Sequence, residues 1–134
     1  MVSSPHLSKF EVKFDACRQL LQWTLRGFWT VEDVLDYSVA MRRAIATFGP
    51  PPHDYDGLGD AREFPVQRDE VDAALHRFGS SVRPFHRGRT AIVVGSTLNK
   101  LQVERRFDIE NKVRIFLSMD EARDWLSTEA RAAA

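Results

Sequence analysis

The most suggestive spacing in the chain is Gly95-Ser96-Thr97, which follows the apolar run Thr90-Ala91-Ile92-Val93-Val94 and opens a helical pattern. Where a buried strand turns into a helix, free backbone N–H groups and the helix dipole make a place for an anion. Lys100, Arg105 and Arg106 stand just downstream. The full glycine pattern of a phosphate loop is missing, and Ser96 by itself meets the ordinary requirement for an N-cap. A second group, Asp54, Asp56, Asp60, Arg62 and Glu63, gathers charge within ten residues. Two carboxylates of such a set can share acid–base work or hold a cation. No catalytic partner group stands out, so the plainer expectation is a solvated loop with Asp60 paired to Arg62.

His6, His53, His76 and His86 are scattered, and no two are four residues apart, so the spacing of a helical metal site is missing. Cys17 is the only cysteine and has Arg18 beside it, but a nucleophile needs a base and an electropositive pocket; it is expected to pack or turn. Arg83, His86, Arg87 and Arg89 form a short basic run around Phe85. With Lys100, Arg105 and Arg106 it has the charge to meet nucleic acid or phospholipid headgroups, and the plainer reading is a solvated loop. Trp23, Trp29 and Trp125 with nine Phe supply either an ordinary core or the lining of an apolar pocket.

The composition narrows these choices. Lys and Arg total 19 and Asp and Glu total 19, which removes the global electrostatic reason to expect nucleic acid. A hydrophobic fraction of 43% is enough for a core without disulfides, and one cysteine excludes both an internal disulfide and a four-cysteine zinc site. The first residues lack the charged start and apolar run of a signal peptide, and no stretch approaches the roughly 20 apolar residues of a membrane span. A soluble, cytoplasmic, single-domain protein is expected.

The elements that must position these residues are legible from periodicity. Phe10, Val12 and Phe14 alternate with Lys9, Glu11, Lys13 and Asp15, as in a half-buried strand; a short turn leads to a second strand over 19–26, necessarily antiparallel to the first. Thr30 and Asp33 resemble a capping box, and Val31, Val34, Leu35, Ser38, Met41, Ile45 and Phe48 recur at helical spacing until Gly49 and Pro50–Pro52 stop it. A third strand is expected over 54–62. Gly57 and Gly59 bare one of its faces, and the groove must be filled, most simply by a helix and otherwise by a ligand or partner. A second helix starts near Arg68 and is distorted or ended by Gly79 and Pro84. Thr90–Val94 reads as a strand buried on both faces, followed by a third helix from Gly95-Ser96-Thr97 to about Glu110. Val113–Leu117 is a fifth strand, and Ser118 with Glu121 caps a last helix carrying Met119, Ala122, Trp125 and Leu126 inward. The order is β-β-α-β-α-β-α-β-α: an α/β fold with a mostly parallel five-stranded sheet and four helices. Residues 1–8 are expected as a flexible N-terminus, 9–127 as the domain and 128–134 as a tail.

Several segments in this order resemble the small bacterial proteins called SpoIIAA-like or STAS-like, whose fold is shared with STAS and Sec14 (CRAL-TRIO) domains. They are Gly27-Phe28-Trp29-Thr30, Asp60-Ala61-Arg62 followed by Phe64-Pro65-Val66, Arg89–Ser96, and Val113-Arg114-Ile115-Phe116 followed by Glu121–Leu126. The resemblance spans about residues 9–127. STAS anti-sigma factor antagonists switch through a phosphorylated Ser or Thr after the third strand, yet no Ser or Thr occurs here between Thr47 and Ser80, so that switch does not carry over.

The resemblance implies a non-enzymatic regulatory or protein-interaction domain, with no cofactor, that binds a partner protein through loops at one end of the sheet. The expected ligand or partner surface is Asp60, Arg62, Gln67, Gly95, Ser96 and Thr97, because open α/β sheets bind at strand carboxyl ends. The alternative is a carrier or sensor of a lipid or other apolar small molecule; an anion is a further candidate ligand and a homodimer a candidate assembly. An enclosed apolar cavity would favour the carrier, and a flat exposed patch the interaction module.

Overall fold

The computed structural model describes residues 8–47, 54–82, 88–106 and 112–133. Its elements are β1 (Phe10–Asp15), β2 (Leu20–Arg26), α1 (Val31–Ala46), β3 (Asp56–Glu63), α2 (Asp69–Val82), β4 (Thr90–Val94), α3 (Thr97–Arg106), β5 (Val113–Phe116) and α4 (Met119–Ala133). One sheet has the order β1-β2-β3-β4-β5, with β1 antiparallel to β2 and every other pair parallel.

A strictly sequential parallel sheet has a consequence for layering. Right-handed crossovers that all step the same way across the sheet put their helices on one face. Accordingly Val34, Tyr37 and Met41 of α1, Val71, Ala74 and Leu75 of α2, and Val103 of α3 share one core with Leu21, Leu25, Ala61, Ile92, Val94 and Ile115. The opposite face is covered by α4, whose Ala122 and Leu126 pack on Leu20, Leu58, Ala91 and Val93. Since α4 spans β3 to β5, the same face of β1 and β2 carries polar side chains such as Glu11 and Arg26, which pair across the strands. Alternation in β1 thus reflects one buried face, and the continuous apolar run of β4 reflects two.

The capping box of α1 forms as expected: Asp33 N–H donates to Thr30 Oγ1 at 3.2 Å and Thr30 N–H to Asp33 Oδ2 at 2.8 Å. Trp29, just before the cap, and Val34 are both buried, so the chain enters the helix stapled by apolar contact. Lys9 reaches across from β1 to pair with Asp33 at 2.8 Å.

Four expectations shift. The third strand is Asp56–Glu63, not 54–62, because its register is fixed by pairing with β2 and β4 on both sides. Helix α2 passes through Gly79 to Val82 without ending there, glycine's helix penalty of about 1 kcal/mol being smaller than the packing of the helix on the core. The expected tail from 128 is corrected: α4 runs to Ala133, as the Ala-rich composition of Glu129–Ala133 favours. The groove at Gly57 and Gly59 is filled by neither a helix nor an outside group but by Trp23 of β2, paired with Gly59 in register. The stop of α1 at Gly49–Pro52, the end of α2 at Pro84 and the end of α3 near Glu110 lie outside the described residues.

Candidate functional site

The expected surface residues do come together at the carboxyl end of the sheet, but most of them are occupied there. Arg62 donates to Asp60 in a two-pronged pair, Nε to Oδ1 at 2.9 Å and Nη2 to Oδ2 at 2.8 Å, and its backbone N–H adds a third bond at 3.1 Å. The Arg62 hydrogen bond holds the Asp60 carboxyl below its ordinary range. Each group spends its charge on the other.

Gln67 is buried, and its amide is fully engaged. Trp29 N–H donates to its Oε1 at 2.9 Å, and its Nε2 donates to Gly27 O at 3.0 Å and Pro65 O at 2.7 Å. It therefore ties the β2–α1 loop to the β3–α2 loop, a role that separation of 38 positions hides from sequence reading. Gly95 packs against β3: a Cβ there would stand 2.5 Å from the Arg62 carbonyl oxygen. Close approach, not a phosphate cradle, accounts for the glycine. Ser96 Oγ accepts from Asn99 N–H at 3.1 Å, an N-cap, and Ser96 and Thr97 are exposed.

The remaining candidates disperse. Asp56 takes the Arg89 backbone N–H at 2.9 Å and lies 3.7 Å from its guanidinium, at the opposite end of β3 from Arg62 and Glu63. The acidic group is therefore not one site. Arg89 also stands over the Trp125 ring at 5.8 Å. His76 and Cys17 are exposed. Arg83, His86, Arg87, His6 and His53 lie outside the described residues. Among the described residues, no three His, Cys, Asp or Glu converge as a metal site would require, and no helix is long and apolar enough to cross a membrane.

Two further features stand out, and the first gives Trp23 the apolar-pocket role that its residue type allowed. The first is an apolar cavity of about 160 Å³ between the sheet and helices α1, α2 and α3. Trp23, Tyr37, Phe64 and Phe78 supply aromatic surface, and Leu75, Ile92 and Val103 aliphatic surface. Phe64 meets Trp29 edge to face at 5.0 Å, Trp29 meets Tyr37 at 5.4 Å and Tyr37 meets Phe78 at 5.6 Å, so three aromatic residues of the lining are linked through Trp29, which stands outside it. Burial drives the Tyr37 phenol well above its usual range and pushes that of Tyr55, also in the lining, up to about 12. The second is a series of exposed apolar side chains at the carboxyl end: Phe28 at 72% exposure in the loop after β2, Val66 in the loop after β3, Leu98 at 67% in the first turn of α3 and Leu117 after β5. Phe28, Val66 and Leu98 lie on successive connections between neighbouring strands, and Leu117 follows the last strand, so all four stand past the carboxyl ends of the parallel strands.

The fold is shared with a solved structure. The chain superposes with a TM-score of 0.68 on the crystal structure of an uncharacterised protein from the DUF3478 family with a SpoIIAA-like fold, from Shewanella loihica PV-4, at 18% identity over 93% of this chain and 99% of that one. The fold is therefore SpoIIAA-like, with a mixed, mostly parallel sheet. No family model and no curated protein matches the sequence.

Proposed function

We propose that this is a non-enzymatic regulatory domain of STAS-like type whose input is a small apolar molecule held between the sheet and α1–α3, and whose output is contact with a protein partner along the carboxyl edge. The cavity carries the reading. Its volume of about 160 Å³ is close to that of an engineered, enclosed apolar cavity of roughly 150 Å³ that takes up benzene, and unlike that cavity it opens to solvent, which gives a ligand a way in. That size suits a single ring with short substituents and is too small for a long acyl chain, so a lipid carrier in the Sec14 manner is the poorer fit. The mechanical route to the edge is short. Phe64 lines the cavity, packs on Trp29, and accepts from Asn99 Nδ2 at 3.2 Å through its carbonyl; Trp29 in turn is held by Gln67. A molecule that shifts Phe64 therefore acts on the segments that carry Phe28, Val66 and Leu98.

The test is titration with toluene, phenol and indole, followed by NMR of the Trp23 indole N–H and the amides of Phe28, Val66 and Leu98. Saturable shifts at Trp23 that extend to the edge amides are expected. Leu75→Phe, which fills the cavity from within, should abolish them while leaving the protein folded. Absence of saturable shifts for all three probes, or shifts that persist in Leu75→Phe, would overturn the reading.

A further inference from the structure

Strand β1 ends the sheet: among the described residues it pairs with β2 on one side and with no strand on the other. The Lys9 carbonyl oxygen accepts from the Arg26 N–H at 2.8 Å, so the backbone of Lys9 is directed toward β2. In an antiparallel ladder that direction alternates. Glu11 and Lys13 therefore also turn their N–H and C=O groups to β2, whereas Phe10, Val12 and Phe14 turn theirs to the outer side. Side chains alternate as well. Phe10, Val12 and Phe14 pack on the core, and Glu11 and Lys13 stand exposed on the opposite face, which α4 covers only over β3 to β5. Glu11 meets Arg26 through Oε2, and Lys13 is in no ion pair among the described residues.

We propose that this edge is the contact between two copies of the chain, whose β1 strands pair antiparallel about a two-fold axis at Val12 and join two five-stranded sheets into one. The order Lys9-Phe10-Glu11-Val12-Lys13-Phe14-Asp15 selects the occupant. Read outward from Val12, it sets apolar against apolar and acid against base: Val12 meets Val12, Glu11 meets Lys13, Phe10 meets Phe14 and Lys9 meets Asp15 of the second copy. Symmetry makes each unlike pair twice. With the axis at an outward-turned residue, Val12 exchanges two backbone hydrogen bonds with its mate. Glu11 and Lys13 then fall in a non-hydrogen-bonded pair, where Cα atoms come to about 4.5 Å and side chains are closest. Glu11 meets Glu11, and Lys13 meets Lys13, only on diagonals of about 7–8 Å. Arg26 also draws Glu11 toward β2, away from the axis. The end pair adds little, because Asp33 holds Lys9, and Asp15 accepts from the N–H groups of Cys17 and Arg18.

Other registers are worse. An axis at Glu11 sets Glu11 against Glu11 and Lys9 against Lys13, and an axis at Lys13 sets Lys13 against Lys13 and Glu11 against Asp15. An axis at Phe10 or Phe14 leaves half of the strand or more unpaired. Half-steps oppose outward-turned and inward-turned residues and break the ladder. Helix α1 allows the approach. Its Asp33 binds Lys9 of β1 and its Arg42 binds Ser81 of α2, so the flank through Asp33 faces the outer edge. At about 100° per residue, Ala40 and Ala44 share that flank, and their small side chains leave room for α1 of the second copy. One strand pair covers less than the roughly 1,200 Å² of a standard interface, so the dimer is weak, forming in the micromolar range. No β1 residue lines the cavity, so this contact stands or falls independently of the proposed function.

Sedimentation velocity on the whole chain from about 1 to 300 μM reads the assembly. A concentration-dependent shift from monomer to dimer is expected. Lys13→Glu and Glu11→Lys each set like charges against each other across the axis and should weaken association about tenfold or more. An equimolar mixture of the two variants should associate as the wild type does, because each Glu11→Lys chain then meets a Lys13→Glu chain with both pairs unlike. An effect inside one chain cannot produce that rescue, nor can an unrelated strand docked on this edge. Lys13→Glu should leave the melting temperature unchanged, since Lys13 is exposed. Glu11→Lys gives up the Arg26 pair, so a second readout uses cysteines. In a Cys17→Ser background, Glu11→Cys and Lys13→Cys chains mixed under mild oxidation should form a disulfide-linked heterodimer in preference to either linked homodimer, because opposed Cα atoms lie within disulfide reach. A wild-type chain that stays monomeric at the highest concentration would overturn the proposal and leave Lys13 as a guard against edge pairing. A mixture no tighter than the separate charge variants, or cross-linking that favours homodimers, would overturn it equally.

Discussion

The indole Nε1 of Trp23 stands 2.5 Å from where a Cβ at Gly59 would be, and its six-membered ring edge lies 2.9 Å from a Cβ at Gly57. One side chain thus occupies the space of two absent ones and forms part of the cavity wall. Gly59→Val is expected to push the indole out of place and destabilise the protein by about 1–3 kcal/mol. The same change in a Trp23→Ala background should cost less than about 1 kcal/mol, because its collision partner is gone. Urea denaturation of the four proteins gives the coupling directly, and simple additivity would show that the two residues do not interact.

Gln67→Ala should cost about 2–3 kcal/mol. The Trp29 N–H loses its acceptor, and the Gly27 and Pro65 carbonyls lose their donor, in a buried setting where water replaces them poorly. Denaturant midpoints check this, and hydrogen exchange should show faster exchange at Trp29 and at the start of α2. A loss under about 0.5 kcal/mol would mean that Gln67 is not the tie between the two loops.

The two tyrosines of the chain are both buried, and burial raises both phenols above their ordinary value near 10. An unfolded chain therefore releases these protons first as pH rises, so it binds fewer protons than the folded state above about pH 10. Stability contributed by the neutral phenols is complete below pH 10 and falls as pH climbs toward 12. Absorbance at the tyrosinate band should show almost no ionisation near pH 10, then a rise coincident with loss of tertiary signal. A normal titration at pH 10 in folded protein would contradict the packing of Tyr37 and Tyr55.

For Asp60 the sign is opposite. Its carboxyl is held low first by the Arg62 side-chain hydrogen bond, against a smaller opposing effect of burial. The pair's contribution is present above the unfolded carboxylate value near 3.9 and is lost as pH falls through the lower folded value. Arg62→Gln should move the Asp60 titration upward, visible in its carboxyl carbon chemical shift, with the fold intact. An unmoved titration would show that Arg62 does not govern that carboxylate.

Much of the architecture was present in the sequence because it rests on local rules. Alternation marked β1, the unbroken apolar run marked β4, and Thr30 with Asp33 marked the start of α1, since periodicity and capping depend only on neighbours along the chain. The Asp60–Arg62 pair and the Ser96 cap were legible for the same reason. The hidden parts depend on residues far apart in sequence. Gly57 and Gly59 announced a vacancy, but only the β2–β3 register could assign it to Trp23. Gln67 looked like a polar loop residue until folding enclosed it against a backbone 38 positions away. The cavity is a shortfall of packing among side chains from the sheet and three helices, and no single segment encodes a shortfall. The outer edge of β1 is likewise set by where the other elements are: the charge order of residues 9–15 is written in the chain, but only a place at the end of the sheet turns it outward.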